Sequence, residues 1–256
     1  MGDKRKGSSF RAIGKRLVAA RKGARNAATL LKKGRLGAPY HAAYQEFHTT
    51  SVYRLRRYHR VSHDVAPVDQ PLLFVPPLMV SSEIYDISPE LSAIGAMVDR
   101  GLDVWLVDFG APEREEGGLH RSLDDHVLAV AEAVSKVSEE TGQDVHLIGY
   151  SQGGMFAYQA AAWLQSENVA SLITFGSPVD SWRNLPVKVK PEVTEKVAEA
   201  VGAALVPGLK RLSGLPGGLT STGFKLFNVQ KEVKQITSFL GLLHDRDALI
   251  KREPSR

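Results

Sequence analysis

Between residues 70 and 176, short apolar runs alternate with longer segments in which apolar positions recur every three or four residues. Leu72-Leu73-Phe74-Val75 has the length and character of a buried strand and is stopped by Pro76-Pro77. The stretch from Pro89 to Arg100 predicts a helix, with Ser88 as N-cap and Pro89 in the first turn. Asp103 to Asp108 predicts the next strand, and Phe109 to Gly118 an acid-bearing loop in solvent. Val127, Val130, Ala131, Val134 and Val137 mark one face of a helix over Ser122–Thr141, with Gly142 just past its end. Asp144 to Tyr150 predicts a strand, Met155 to Leu164 a helix, and Val169 to Phe175 a further buried strand. Alternation of this kind predicts the α/β class, a mostly parallel sheet with helices on both faces. Upstream, Ser51 to Arg60 alternates loosely and reads as an edge strand whose arginines face solvent.

The ends of the chain differ from this middle. Phe10, Ile13, Leu17, Ala20, Ala24, Ala27 and Leu31 form an apolar stripe that predicts an amphipathic helix over residues 9–33. Arg11, Lys15, Arg16, Arg21, Lys22 and Arg25 surround the stripe. After Ser177, residues 191–206 and 225–243 read as helices and residues 209–223 are broken by glycine and proline. No strand is visible beyond Phe175. The expected layout is a basic leader over 1–45, an α/β core over 46–182 and a helical segment over 183–256.

Composition adds three constraints. The 256 residues are 43% hydrophobic and 24% charged, as in a globular protein with one sizeable core. There is no cysteine, which removes disulfides and thiolate chemistry and fits a cytoplasmic location. The net charge of +5 belongs to the leader, because residues 1–36 hold twelve Lys or Arg and Asp3 is the only acid before Glu46. Such a segment is expected to bind acidic lipid or a membrane surface, nucleic acid or an acidic partner, to remain a solvated leader, or to serve as a transit peptide; of these partners nucleic acid is the least expected.

The most informative chemistry is Gly149-Tyr150-Ser151-Gln152-Gly153-Gly154, which directly follows the predicted strand and precedes the helix. A strand, a G-x-S-x-G turn and a helix resemble the nucleophile elbow of α/β-hydrolases. Ser151 is then the candidate nucleophile, and Gly149, Gly153 and Gly154 are the small residues that let strand and helix approach. One oxyanion donor is expected from the Gln152 N–H. The other is expected from the loop after Val75, where Pro76 and Pro77 lack an N–H and Leu78, Met79 or Val80 remain, with Met79 chosen.

A serine needs a base, usually a histidine oriented by a carboxylate. In this fold the order is Ser, acid, His. Only His244 follows Ser151, in a helical stretch near the end, and Asp180, just past the strand that ends at Phe175, is the candidate acid. The seven earlier histidines read as structural or exposed. No H-E-x-x-H spacing occurs, and neither a metal nor a cofactor is expected.

Further segments carry a wider resemblance. Val75 to Met79, Ile84 to Ser92, Gly101 to Asp108, Gly149 to Gly154 and Thr174 to Asp180 follow one another as in the polyhydroxyalkanoate synthase family of α/β-hydrolases, over about residues 50–182. Asp108 to Gly118 is similar to actinobacterial forms fused to an acyl-CoA synthetase. The resemblance implies an α/β-hydrolase fold with residues 183–256 as a helical cap, and hydroxyacyl or fatty acyl coenzyme A as substrate. It departs from this chain at two points. Polyester synthases have cysteine where Ser151 stands, which favours hydrolase-like chemistry over chain growth. They also place the catalytic acid and histidine well beyond the cap, so this chain is expected to be the front part of a larger protein. The expected function is therefore serine-dependent acyl transfer or (thio)ester hydrolysis, with an acyl-CoA synthetase or a missing C-terminal half as partner. The alternative is a non-catalytic protein that docks on a lipid body, a membrane or a partner enzyme, peripheral to that surface.

Overall fold

The computed structural model describes residues 4–33, 36, 41–58, 68–78, 82–180 and 241–252, and residues 196, 200, 203 and 238 singly. It divides into two compact units, Tyr40–Pro216 and Met1–Pro39 with Gly217–Arg256. Met79, the helices expected over 191–206 and 225–240 and the broken stretch 209–223 lie outside the described residues, single positions apart.

The first unit is built on a six-stranded sheet: β1 (Tyr44–Thr49), β2 (Arg54–Tyr58), β3 (Val68–Val75), β4 (Leu102–Asp108), β5 (Val145–Tyr150) and β6 (Val169–Phe175). Their spatial order is β1-β2-β4-β3-β5-β6. β3, β4, β5 and β6 run parallel, while β1 and β2 are antiparallel to their neighbours. Its helices bounded within the described residues are α2 (Ala93–Val98), α3 (Leu123–Thr141) and α4 (Gln152–Trp163). The chain passes from β3 to β4 on one side and then crosses to β5 on the other. That reversal opens a crevice beyond the carboxyl ends of β3 and β5, where ligands sit in open α/β sheets.

The two-residue period of the strands sorts their side chains onto two cores. Leu73, Val75, Trp105, Val107 and Leu147 pack with Val130, Val134, Val137, Phe156 and Ala160 of α3 and α4. Leu72, Phe74, Val104, Leu106 and Ile148 pack on the other face with Tyr85, Ile94 and Val98. Burial on both faces explains why these strands read as continuous apolar runs.

α3 begins with a reciprocal cap: Ser122 Oγ accepts from Asp125 N, and the Asp125 carboxylate accepts from Ser122 N. It ends at Gly142, whose φ of 67° is left-handed. α2 is shorter than the spacing predicts. Its cap is Ser92, whose Oγ accepts from Gly95 N at 2.7 Å and donates to Asp86 Oδ1 at 2.6 Å. Ser88 instead closes a turn onto Leu91 N, so the proline at 89 marks a turn and not a helix start.

Three expectations about the strands are corrected. The segment around Arg54 is not an edge, because β1 covers it; β1 has a bulge between Glu46 and His48 and polar residues that mask it in sequence. The β2 arginines are not solvated. Arg54 and Arg56 both pair with buried Asp108, Arg54 also reaches Glu115 at 2.9 Å, and Arg57 holds Asp103 through two bonds of 3.0 and 3.1 Å while covering the Trp105 ring. Glu115 is accordingly drawn out of the expected solvated loop. β6 forms, but it is an edge strand and not a buried one: Leu172, Ile173 and Phe175 are 41%, 40% and 53% exposed.

The second unit contains α1 (Lys4–Lys33) and α5 (Arg246–Arg252). α1 buries Gly23 and Asn26, and Asn26 Nδ2 donates to Leu243 O at 2.9 Å. Leu36 and Leu249 are buried, and Arg246 donates to Leu36 O at 2.6 Å.

Candidate active site

At the end of β5 the backbone turns sharply into α4. Ser151 at the corner has φ 52° and ψ −118°, a region costly for a residue with a Cβ. Its N–H donates to Phe175 O at 2.8 Å, which ties the corner to the end of β6. Strain of this size persists only where the surroundings enforce it.

The glycines are what permit the corner. A Cβ on Gly149 would run into the backbone of Gly154, and one on Gly153 into the carbonyl of Val75 at the end of β3. Gly154 faces Ser177 in the loop after β6, with no room for a side chain. α4 can therefore start directly above the sheet, with its positive N-terminal end beside Ser151. Gln152 holds the first helical position, where an N–H has no intrahelical acceptor and is available to a developing oxyanion.

The loop after β3 meets this corner through a side chain. Gln152 Oε1 accepts from Leu78 N at 3.2 Å. Of the three donors considered for the oxyanion, Leu78 is thus already engaged. Met79, the chosen donor, lies outside the described residues. Tyr85 braces the same loop: its buried hydroxyl donates to Val75 O at 2.9 Å, and burial pushes its ionisation above the ordinary tyrosine range. Sequence reasoning named Gln152 only for its N–H and gave Tyr85 no role. A long amide at the first position of a helix that follows a strained corner was the one available signal.

Asp180 is exposed in the loop after β6, in the α/β unit. His244 is exposed in a turn before α5, not in a helix, and belongs to the other unit. The remaining described histidines have other occupations. His146 bonds Ser171 and Gln70, His48 pairs with Glu132, and His41 and His120 are exposed. His126 is buried against Phe156 and Phe109, with Nδ1 at 2.6 Å from Ser122 O. Among the described residues no group of three or more His, Asp or Glu could hold a metal ion.

A strand, a strained serine, a helix and packed glycines at the carboxyl edge of a mostly parallel sheet are the nucleophile elbow of the α/β-hydrolase fold. The sequence model of the palmitoyl protein thioesterase family matches residues 81–208, half of the chain. The chain belongs to that family of α/β-hydrolases. It is also 35% identical over 121 residues to a poly(3-hydroxyalkanoate) polymerase subunit of Haloferax mediterranei, covering 46% of this chain and 24% of that one. With the corresponding subunit of Allochromatium vinosum it shares 34% over 128 residues, covering 49% and 35%. The chain thus spans about a quarter to a third of the length of these curated relatives. Among solved structures it is similar to Bacillus licheniformis lipase BlEst2, with 19% identity and a TM-score of 0.39 over 51% of this chain and 49% of that one.

Proposed function

We propose that the α/β unit performs serine-dependent acyl transfer on thioesters, with Ser151 as nucleophile and acyl- or 3-hydroxyacyl-coenzyme A as the substrate class. The observation that carries this reading is the backbone of Ser151: a φ of 52° and ψ of −118° at a helix N-terminus is a costly conformation held by the packed elbow, of the kind that functional sites store. Similarity to poly(3-hydroxyalkanoate) polymerases supports the acyl class.

In the proposed reaction Ser151 Oγ attacks the thioester carbonyl carbon as its proton passes to a base. The carbonyl oxygen becomes an oxyanion, held by the Gln152 N–H and by a donor from the loop after β3, assigned to Met79. Collapse breaks the C–S bond, the thiolate leaves with a proton, and the acyl group stays on Ser151 as an ester. Water or an acceptor hydroxyl then attacks that ester and restores the serine. With an oxygen nucleophile the acyl-enzyme is an ester and not a thioester, a less activated donor to a growing chain, and hydrolysis or a single transfer is proposed over chain growth. The proposed base is His244 oriented by Asp180, or a group that a second polypeptide supplies. Asp180 and His244 remain the proposed acid and base within the chain. An acyl-CoA synthetase is the proposed source of the thioester.

The test is release of free thiol from butyryl- and 3-hydroxybutyryl-coenzyme A, by the purified chain and by extracts of its source. Turnover lost in Ser151→Ala supports the reading. Turnover that persists undiminished in that variant, or a folded wild type inactive in both settings, contradicts it.

A further inference from the structure

α1 is divided along its length into three faces. One face packs: Gly23 and Asn26 are buried against Leu243, and Ala19, Ala27 and Leu30 are half-buried. A second face is apolar and, among the described residues, exposed. Leu17, Ala20, Ala24 and Ala28 fall on it by helical spacing and all are exposed, Leu17 at 66%. Leu17, Ala20 and Ala24 are the central part of the stripe read from the sequence, and that part faces outward, while Ala27 of the same stripe is half-buried. The third face is basic. Lys15, Arg21, Lys22 and Arg25 lie beside the apolar face, are exposed, and make no ion pair among the described residues. Val18 stands among them at 56% exposure. The helix carries eleven Lys or Arg and no acid over its 30 residues.

We propose that α1 docks the protein on an anionic phospholipid surface. Its apolar face would sink to the acyl boundary while the adjoining basic face meets lipid phosphates, and its small-residue face remains packed within its own unit. Charge complementarity selects an anionic partner. The exposed apolar face beside the charges selects lipid over nucleic acid, whose phosphates would leave Leu17 and Val18 in water. No described helix is long and apolar enough to cross a membrane, so α1 would lie on the surface.

Co-sedimentation of the full chain with vesicles tests this, using phosphatidylcholine alone and phosphatidylcholine with about a third phosphatidylglycerol, at physiological salt. The expected result is binding to the anionic vesicles only. Arg21→Gln/Lys22→Gln/Arg25→Gln should weaken it by more than about tenfold, since each basic residue near such a surface contributes roughly fivefold. Leu17→Ser/Val18→Ser, which keeps every charge, should also weaken it by about tenfold. Both sets are exposed, and circular dichroism checks that the fold is kept. Equal binding of the serine variant and wild type, with competition by duplex DNA, would overturn the proposal in favour of a purely electrostatic nucleic-acid surface. Absence of binding to the anionic vesicles by the folded wild type would also overturn it.

Discussion

Gln152 Oε1 accepts a hydrogen bond from the backbone N–H of Leu78, across 74 residues of sequence. One residue thereby acts on both sides of the proposed oxyanion site. Its own N–H starts α4, and its side chain holds the loop proposed to supply the second donor. Gln152→Met keeps the length and removes the acceptor. The expected effect is a fall of about 10- to 100-fold in kcat with KM little changed, because a shifted donor costs the transition state more than the ground state. A proportional rise in KM at constant kcat would show that the amide serves binding instead.

Asp108 joins β2 to β4 by accepting from both Arg54 and Arg56 while almost fully buried. Asp108→Ala removes the acidic partner of the part-buried Arg56 guanidinium and leaves Arg54 only Glu115. It should cost about 3 kcal/mol in urea unfolding, near the lower end of the range for breaking a buried pair. Substitution of exposed Asp124, by contrast, should change stability by less than about 0.5 kcal/mol.

His126 should make the protein acid-sensitive. The neutral ring donates from Nδ1 to Ser122 O and stacks on Phe156, while its buried Nε2 has no partner among the described residues. Burial lowers its ionisation below the usual value of 6.5, and neighbouring Arg121 acts in the same direction. The unfolded chain therefore binds a proton that the native chain refuses. This contribution is complete above pH 6.5 and is lost as the pH falls toward the lowered native value. The urea midpoint should drop as the pH falls below 6.5, and His126→Leu should flatten that part of the slope. An unchanged slope in the variant would assign the acid sensitivity elsewhere.

Gly153 permits α4 to start against Val75 O. Gly153→Ala should force the helix off the end of β3, costing more than about 3 kcal/mol or preventing folding, as measured by soluble yield and thermal unfolding.

Much of this architecture was legible because it depends on local patterns. Ser122 with Asp125, the valine stripe of α3 and the run that feeds the elbow all declare themselves within a few residues. What stayed hidden depends on distant partners. The β2 arginines look solvated until Asp103, Asp108 and Glu115, some 46 to 61 residues later, fold onto them. Ser92 displaces Ser88 as a cap because Asp86 reaches its hydroxyl. β1 escapes notice because polar residues and a bulge break its alternation. At the site, the corner residues were readable from Gly149 to Gly154, whereas the bond from Leu78 to Gln152 was not.

The central claim is that Ser151 is an activated nucleophile, and a fluorophosphonate probe tests it most directly. The probe is applied to the folded chain, alone and in extracts of its source so that any partner supplying a base is present, and the adduct is mapped by peptide mass spectrometry. The account predicts a single adduct on Ser151, absent in Ser151→Ala and slower to form in Gln152→Met. A folded chain that stays unlabelled in both settings, or that is labelled at another residue, would contradict it.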